Sequence, residues 1–299
     1  MTTREKRHLR NGLLFCAPWF IGLGLFTAYP VVASLFYSFC DYSVLQSPVW
    51  SGTENYRRMA GDTLFWLSLK NTIIYALLSL PAGMIVALSL ALLLNTEVRG
   101  MPVFRTIFYL PSIVPMVASA MLWLWIFNGQ FGLLNWALLP ILDLFGLKPP
   151  GWLGDPTWAK PALALMSLWG VGNSMVIHLA GLQNVPKELY EAAEIDGAGT
   201  WRRFWHVTLP MISPVLYFNL IMGIIGSLQV FATVFVMTGG ADGAPARSTL
   251  FYALYLFSVS FYDLRMGYGC AMAWVLFILI VALTVVATKL TEKRVHYAT

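Results

Sequence analysis

The sequence predicts an all-α integral membrane protein with six transmembrane helices and both termini in the cytoplasm. Of its 299 residues, 58% are hydrophobic and only 11% are charged, whereas soluble proteins carry about 25% charged residues. Six stretches contain no Asp, Glu, Lys or Arg over the length of about 18 residues that a membrane span requires. Lys and Arg are more frequent in alternate connecting segments, which indicates how the spans are oriented.

The six uncharged stretches place the spans in order along the chain. We expect the helices near residues 13–37, 71–94, 106–127, 161–183, 213–237 and 267–288. A further apolar stretch, Ser248–Tyr262, is too short for a span and is interpreted as an outer interfacial or re-entrant segment. The expected organisation is a cytoplasmic tail at 1–12, a permeation domain at 13–288 and a second cytoplasmic tail at 289–299.

The distribution of basic residues sets the predicted orientation. With both termini inside, the inner segments hold twelve basic residues, which are Arg4, Lys6, Arg7, Arg10, Arg99, Arg105, Lys187, Arg202, Arg203, Lys289, Lys293 and Arg294. The outer segments hold seven, which are Arg57, Arg58, Lys70, Lys148, Lys160, Arg247 and Arg265. Cytoplasmic loops carry the excess of Lys and Arg in membrane proteins, so both ends are predicted to be cytoplasmic. The net charge of +5 is explained by this orientation, and no nucleic-acid partner is predicted.

Several kinds of active site are absent from the sequence. No Gly-Lys dipeptide occurs, so there is no phosphate-binding P-loop, and there is no His-Glu-x-x-His or Gly-x-Ser-x-Gly motif. The three cysteines and four histidines show no metal-ligand spacing. His178 is the only ionisable candidate within a predicted span, and we interpret it as interfacial or bonded to backbone. The chain is therefore predicted to bind no cofactor and to catalyse no reaction itself.

The segment between spans four and five, residues 184–210, differs from the other connections because it concentrates acidic residues. Within nine positions it holds four of the fourteen acids of the protein, which are Glu188, Glu191, Glu194 and Asp196. Asn184 followed by Pro186 is typical of a helix start. Gly197 is a natural helix stop. The first part of this segment is therefore predicted to be a short helix that ends at a glycine elbow.

A second short helix is expected after the glycine. Thr200 can cap a helix over Trp201–Thr208, which would end before Pro210. Arg202 and Arg203 on this helix can address membrane phosphates or the acids of a partner. On composition alone, the charges of this segment could simply solvate one face of a loop helix. The spacing of residues along the whole segment decides between that interpretation and the binding of a partner.

That spacing resembles the signature loop of importer permeases of the ATP-binding-cassette class. It comprises Glu191-Ala192-Ala193, three residues, Gly197, nine residues, and then Val207-x-Leu209-Pro210. Isoleucine is commoner than Val207 in that class, which is a conservative difference. Further motifs resemble the carbohydrate-uptake permeases for disaccharides, oligosaccharides and glycerol phosphate, in their shorter six-span form. These motifs are Ser34–Phe39, Glu54–Tyr56, Asn71-Thr72, Arg99-Gly100, Phe104-Arg105, Leu110-Pro111 with Pro115, Gly132–Asn135 and Thr238–Gly240.

One segment departs from the family pattern. After Thr238–Gly240 the family often continues at once with glycine and proline, but here the run Ala241–Ala244 delays Pro245. The details of this outer loop are therefore expected to differ from those of the family.

The resemblance implies a complex in a bacterial or archaeal cytoplasmic membrane. Its expected partners are a second, usually different permease subunit, two cytosolic ATPase subunits that hold ATP and Mg, and an external solute-binding protein. The first helix of the loop would dock on an ATPase subunit and transmit its closure. The residues implied in this coupling are Glu191, Ala192, Ala193, Asp196, Gly197, Leu209 and Pro210.

The solute path should use uncharged polar groups and aromatic rings, which suit sugar hydroxyls. Span four offers Ser167, Trp169, Gly170, Asn173 and Ser174, and span five offers Tyr217, Asn219, Gly223, Gly226, Ser227, Gln229 and Phe231. Bonding between helices explains many such side chains. We select Asn173, Ser174, Ser227 and Gln229 as candidates for the path.

Two other features of the spans are expected to be structural. Pro111 and Pro115 should kink span three. The glycines in spans four and five are expected to permit close packing or local unwinding.

Two other function classes remain as alternatives. A self-sufficient secondary carrier for a small polar solute would couple to an ion gradient, and the uncharged spans count against it. A membrane enzyme, such as a lipid-linked transferase, would need paired acids or a metal cluster at one face. The only acid cluster is Glu188–Asp196, which lacks histidines at ligand spacing.

Overall fold

The computed structural model describes residues 2–96 and 98–291, and most of them are helical. The predicted tail at 289–299 lies outside the described residues from position 292 onward. The elements are α1 (Thr3–Leu23), a π-helical turn (Gly24–Ala28), α2 (Tyr29–Ser38), β1 (Cys40–Ser43), β2 (Gln46–Trp50), α3 (Glu54–Gly61), α4 (Thr63–Leu94), α5 (Met101–Tyr109), a 3₁₀ turn (Leu110–Ile113), α6 (Met116–Ile126), α7 (Leu133–Leu144), α8 (Pro156–Trp169), α9 (Gly172–Gln183), α10 (Lys187–Ile195), α11 (Thr200–Arg203), a second π-helical turn (Phe204–Thr208), α12 (Leu209–Met211), α13 (Ser213–Leu228), α14 (Ala232–Met237), α15 (Tyr252–Phe257), a third π-helical turn (Ser258–Tyr262) and α16 (Met266–Thr291).

By length and composition, the described residues contain three candidate membrane spans, or up to six if each bent helix pair is one span. Three are long and apolar enough to cross a membrane as continuous helices: Arg4–Ser38, Thr63–Leu94 and Met266–Thr291. Three more are helix pairs bent at a short break, which are Met101–Ile113 with Met116–Ile126, Pro156–Trp169 with Gly172–Gln183, and Thr200–Met211 with Ser213–Leu228. The first helix begins at Thr3 rather than near residue 13.

Spans three, four and five are not continuous helices, and the predicted kink of span three is confirmed. In span three, the two halves meet at 97°, as expected for a segment that contains Pro111 and Pro115. Span four bends by 51° where Gly172 approaches the backbone of α5: a Cβ on Gly172 would lie 3.0 Å from the carbonyl oxygen of Phe108. The helix of span five ends at Leu228, and α14 follows after a short break.

The chain forms two compact units, and the first contains Met1–Asp62 and Leu256–Phe277. It includes an antiparallel β-hairpin in which Cys40 pairs with Trp50, a short local departure from the helical fold that the sequence predicts. Asn55 ties the hairpin to α2, because its amide Nδ2 donates to the carbonyl oxygens of Ser38 at 3.0 Å and Cys40 at 2.8 Å. The Glu54–Tyr56 motif therefore has a structural role at the end of the first span.

The second unit contains Thr63–Tyr255 and Ile278–Thr299. Helix α4 is at its centre and packs against α8, α9 and α13. At one end of α4, a buried cluster comprises Ala87, Ala91, Leu94, Met175, Leu179, Leu182, Val185 and Ile212. At the same end, Arg105 donates from Nη2 to the carbonyl oxygen of Leu94 at 2.9 Å. Small side chains on α4 let α9 approach closely and form a dry core, because close packing gains dispersion contacts.

The Asn71-Thr72 motif holds the segment that precedes α15. Nδ2 of Asn71 donates to the carbonyl oxygens of Arg247 and Leu250 at 3.0 and 3.2 Å. The hydroxyl oxygen of Thr72 accepts the backbone N–H of Tyr252 at 2.7 Å. As predicted, Ser248–Tyr262 contains a short apolar helix rather than a span, and Tyr252 is fully buried.

Candidate functional site

The loop between spans four and five begins with the predicted short helix, α10. Its N-cap residue is Pro186, while Asn184 caps the end of α9 instead of starting the new helix. At the other end, the N–H of Gly197 donates to the carbonyl oxygen of Glu194 at 3.0 Å, and the N–H of Ala198 donates to that of Ala193 at 2.8 Å. This pair of bonds is a Schellman motif, which needs a left-handed residue after the helix.

Gly197 supplies that residue, since its φ is +74°. An L-residue with a Cβ is disfavoured in this region by about 1–2 kcal/mol. A Cβ at Gly197 would have no atom within 4 Å, so the requirement for glycine comes from the backbone angle and not from lack of space. The prediction that Gly197 ends the helix is confirmed.

The second loop helix, Thr200–Met211, is longer than predicted. It runs through Pro210 to Met211, and Gly199 rather than Thr200 is its N-cap residue. A proline ring clashes with the carbonyl four residues earlier in a regular α-helix. Here a wide π-helical turn, in which the N–H of Leu209 donates to the carbonyl oxygen of Phe204, precedes Pro210 and allows the helical path to continue.

Two side-chain contacts fix the loop helices to one another. The hydroxyl groups of Tyr190 on α10 and Thr208 on the second loop helix lie 3.0 Å apart. Nη1 of Arg203 lies 3.3 Å from Oε2 of Glu194. Thr208 is buried, whereas the ion pair is solvent-exposed at Glu194, so screening reduces its contribution and the hydroxyl pair is the stronger constraint.

The loop is also fixed to the buried cluster beneath it. Tyr190, Val207 and Met211 pack against that cluster, and Ile212, which directly follows the second loop helix, is one of its fully buried members. The loop is therefore in close-packed contact with α4 and α9, and close-packed side chains resist compression.

The seven residues selected in the loop lie in three different environments. Glu191 and Ala192 are exposed on α10, and Ala193 is half-buried. Asp196 and Gly197 are exposed at the elbow. Leu209 and Pro210 are half-buried at the end of the second loop helix. The surface of α10 is thus acidic and carries small side chains beside the acids.

A cavity of about 300 Å³ lies within the second unit, between α4, α8, α9 and α13. Two of the four predicted path residues, Ser174 and Ser227, line it. The other polar lining groups are Tyr75, Ser79, Ser167, His178 and Asn219. No Asp, Glu, Lys or Arg is among its lining residues, so the cavity is polar and uncharged.

The cavity groups retain hydrogen-bonding capacity. Oγ of Ser167 donates to the carbonyl oxygen of Ala164 at 2.6 Å, and Oγ of Ser227 donates to that of Ile224 at 3.1 Å. A hydroxyl that donates to its own helix still has lone pairs that can accept. The arrangement therefore offers acceptors to the hydroxyl groups of a solute.

His178 was interpreted as interfacial or bonded to backbone. It is 0% exposed, so the interfacial interpretation is wrong, whereas the backbone of Ser174 is a hydrogen-bonding neighbour of its ring. The side chain forms part of the cavity wall. Sequence reasoning missed Tyr75 and Ser79, although their spacing of four with Gly83 places all three on one face of α4.

Asn173 and Gln229, the other two path candidates, lie elsewhere. Asn173 is exposed in a separate surface pocket with Tyr109, Val176 and Ile177. Gln229 is exposed at the C-cap of α13. The polar side chain of Tyr217 makes a bond between helices, since its hydroxyl lies 2.8 Å from that of Thr288. Among the described residues, no group of three or more His, Cys, Asp or Glu side chains could hold a metal ion.

Comparisons with known proteins place this architecture in a family. Residues 79–297, which are most of the chain, match the family described as binding-protein-dependent transport system inner membrane component. The chain is 40% identical to the probable ABC transporter permease protein YesP of Bacillus subtilis, over 98% of this chain and 96% of the relative.

Two relatives are named for sugars. One is the lactose transport system permease protein LacF of Rhizobium radiobacter, at 36% identity over 95% of this chain and 96% of the relative. The other is the trehalose/maltose transport system permease protein MalF of Thermococcus litoralis, at 34% identity over 98% of both chains.

Solved structures show the same fold. A chain of a bacterial ABC transporter involved in the import of the acidic polysaccharide alginate superposes with a TM-score of 0.81, at 22% identity over 98% of this chain and 99% of that chain. A second structure of such a transporter, in complex with a periplasmic protein bound to an alginate pentasaccharide, gives a TM-score of 0.80 at 23% identity over 96% of both chains. The chain therefore belongs to the family of inner membrane components of binding-protein-dependent transport systems.

Proposed function

We propose that the chain is the sugar-translocating permease subunit of an ATP-driven importer. Its partners are a second permease subunit, two cytosolic ATPase subunits that bind ATP and Mg, and an external solute-binding protein. The loop of α10 and the second loop helix carries this proposal, because it presents an exposed acidic helix that is tied to the buried cluster by Tyr190 and Thr208. An element of that kind suits a partner that supplies mechanical work.

In this mechanism, α10 docks on an ATPase subunit through Glu191 and the small side chains of Ala192 and Ala193. The carboxylate of Glu191 accepts charge-assisted hydrogen bonds, which are about twice as strong as neutral ones. Asp196 and Gly197 set the elbow between the two helices, and Leu209 and Pro210 connect the second helix to α13. Closure of the ATPase pair then displaces α10, and the packed cluster passes the displacement to α4, α9 and α13.

The cargo proposed is a neutral di- or oligosaccharide. Relatives named for lactose and for trehalose and maltose support the sugar class. The cavity supports a neutral cargo, because its polar lining groups include no Asp, Glu, Lys or Arg to pair with a charged one. Ser174 and Ser227 are proposed to line the path at this cavity, and Asn173 and Gln229 are proposed as contacts outside it.

The coupling role of Glu191 can be tested in the reconstituted complex. Glu191→Gln should lower both solute-dependent ATPase activity and uptake by about tenfold or more, because a hydrogen bond to a charged group contributes about 1.5–3 kcal/mol. Asp143→Asn removes an exposed acid from α7 and should leave both rates unchanged. Uptake by the isolated permease subunit on a proton or sodium gradient would instead favour a secondary carrier and would contradict the proposal.

The elbow can be tested with a matched pair of glycines. Gly197→Ala should weaken ATPase coupling, because alanine in a left-handed conformation costs about 1–2 kcal/mol and shifts α10 against the second loop helix. Gly199→Ala is the control, since Gly199 has a φ of −67° and open space around a Cβ. Stimulated ATPase activity and assembly of the complex are the measurements. Equal effects of the two variants would show that the elbow angle is not required.

The position of the path can be tested by filling the cavity. Ser227→Leu should reduce sugar uptake by about tenfold, since overpacking costs about 1–3 kcal/mol and also removes an acceptor, while the binding protein still stimulates ATP hydrolysis. Gln229→Leu changes a polar residue of the same span outside the cavity and should have a smaller effect. A larger loss of uptake in Gln229→Leu would place the path at the end of α13 and outside the cavity.

A further inference from the structure

The second loop helix has one face that the protein does not cover. This face, called here the tryptophan face, consists of Trp201, Arg202, Trp205 and His206, all of which are exposed. Trp201 is 74% exposed and Trp205 is 49% exposed. The four side chains line one surface pocket together with Gly199 and Thr200. Trp201 and Trp205 contact one another edge to face with ring centroids 5.9 Å apart, so they form one aromatic surface.

The opposite side of the same helix is held inside the protein. Thr208 is buried and bonded to Tyr190, and Val207 and Met211 pack on the buried cluster. The helix therefore cannot rotate to cover the tryptophan face without breaking these contacts. Two large aromatic side chains therefore remain exposed in a fixed direction, and exposed apolar patches mark sites where a protein or a membrane binds.

The direction of the second loop helix indicates which of the two, a protein or a membrane, covers the tryptophan face. Thr200–Met211 and the span helix that follows it, α13, meet at 67°. Membrane spans tilt by about 20° from the bilayer normal. A helix that leaves such a span at this angle runs closer to the membrane plane than to the normal, beside the end of the span. Interfacial helices have this orientation and place Trp and basic residues at the level of the headgroups.

The charges of the two loop helices differ in sign. On α10, Glu188, Glu191 and Glu194 are exposed, and this acidic surface suits a basic protein partner. On the tryptophan face, Arg202 is exposed beside His206. Anionic lipids of the cytoplasmic leaflet attract basic groups near the surface, and the indole ring combines an apolar body with an N–H donor.

We propose that the tryptophan face binds anionic phospholipid headgroups at the cytoplasmic surface of the membrane. The binding rests on the predicted cytoplasmic position of the loop and does not depend on the identity of the cargo. Because Tyr190 and Thr208 join the second loop helix to α10, the two loop helices move together. Lipid bound at the tryptophan face then supports this pair of helices at the membrane surface.

Spin labels on the complete complex test the location of this face. In a background without Cys16, Cys40 and Cys270, a label is placed at Trp205→Cys or, for comparison, at Ile195→Cys, which is 87% exposed on α10. Nanodiscs contain phosphatidylcholine and phosphatidylglycerol. We expect the label at 205 to collide more often with oxygen, which concentrates in lipid, than with a water-soluble nickel chelate. The label at 195 should not show this preference. Greater access for the chelate at 205, or exclusion of both reagents by a covering protein, would overturn the proposal.

A second measurement keeps both tryptophans in place. ATPase activity of the complex is titrated against the phosphatidylglycerol fraction of the nanodisc. Arg202→Gln should raise the fraction required for half-maximal activity by about fivefold, the factor that corresponds to about 1 kcal/mol for one basic residue near an anionic surface. Arg57→Gln removes an exposed charge from α3 and should leave the titration unchanged. Equal shifts in the two variants, or no shift in either, would contradict lipid binding at Arg202.

Discussion

The contact between Tyr190 and Thr208 is the constraint on which the proposed coupling role depends. It joins the two helices of the loop at 3.0 Å, directly above the buried cluster that contains Ile212 and Leu179. A loop without this contact could move freely without displacing the spans. Because close-packed interiors have low compressibility, a loop held in this way can transmit force to the helices around the cavity.

The helices around the cavity also supply polar groups to it without using charged side chains. Charged groups at the bilayer centre are costly and usually mark ion or proton pathways. Here hydroxyl and amide groups line the cavity, and Ser167, Ser227 and Asn219 bond to carbonyls of their own helices. The ring of His178, which also lines the cavity, is fully buried. An uncharged path suits a subunit whose energy is supplied by a partner.

Local chemistry made much of this fold predictable. The left-handed Gly197 and the kink at Pro111 and Pro115 follow from backbone sterics that act within a few residues. The hairpin after α2 was not predictable in this way, because it depends on the amide of Asn55 reaching back to carbonyls fifteen and seventeen positions earlier. The close packing expected of the glycines in span four occurs at Gly172, but periodicity within one span carries no signal that its partner is α5.

The lining of the candidate cavity was likewise only partly predictable from the sequence. Polar residues in spans four and five could be recognised as candidates from the sequence. The directions in which their side chains point could not be predicted. Adjacent residues on a helix point about 100° apart, so Ser174 lines the cavity while Asn173 is exposed in another pocket. The contribution of α4 was missed because an apolar span with scattered hydroxyls does not differ from ordinary helix packing until its neighbours are known.

The central claim is that movement of the loop changes which side of the membrane can reach the cavity. The most direct measurement is labelling of Ser227→Cys, in a background without the native cysteines, by a membrane-impermeant thiol reagent added to either side of proteoliposomes that contain the complete complex. The account predicts labelling from the cytoplasmic side without nucleotide, and from the opposite side when the ATPase subunits are trapped closed with ATP. Labelling from the same side in both states, or from neither side in either state, would contradict it.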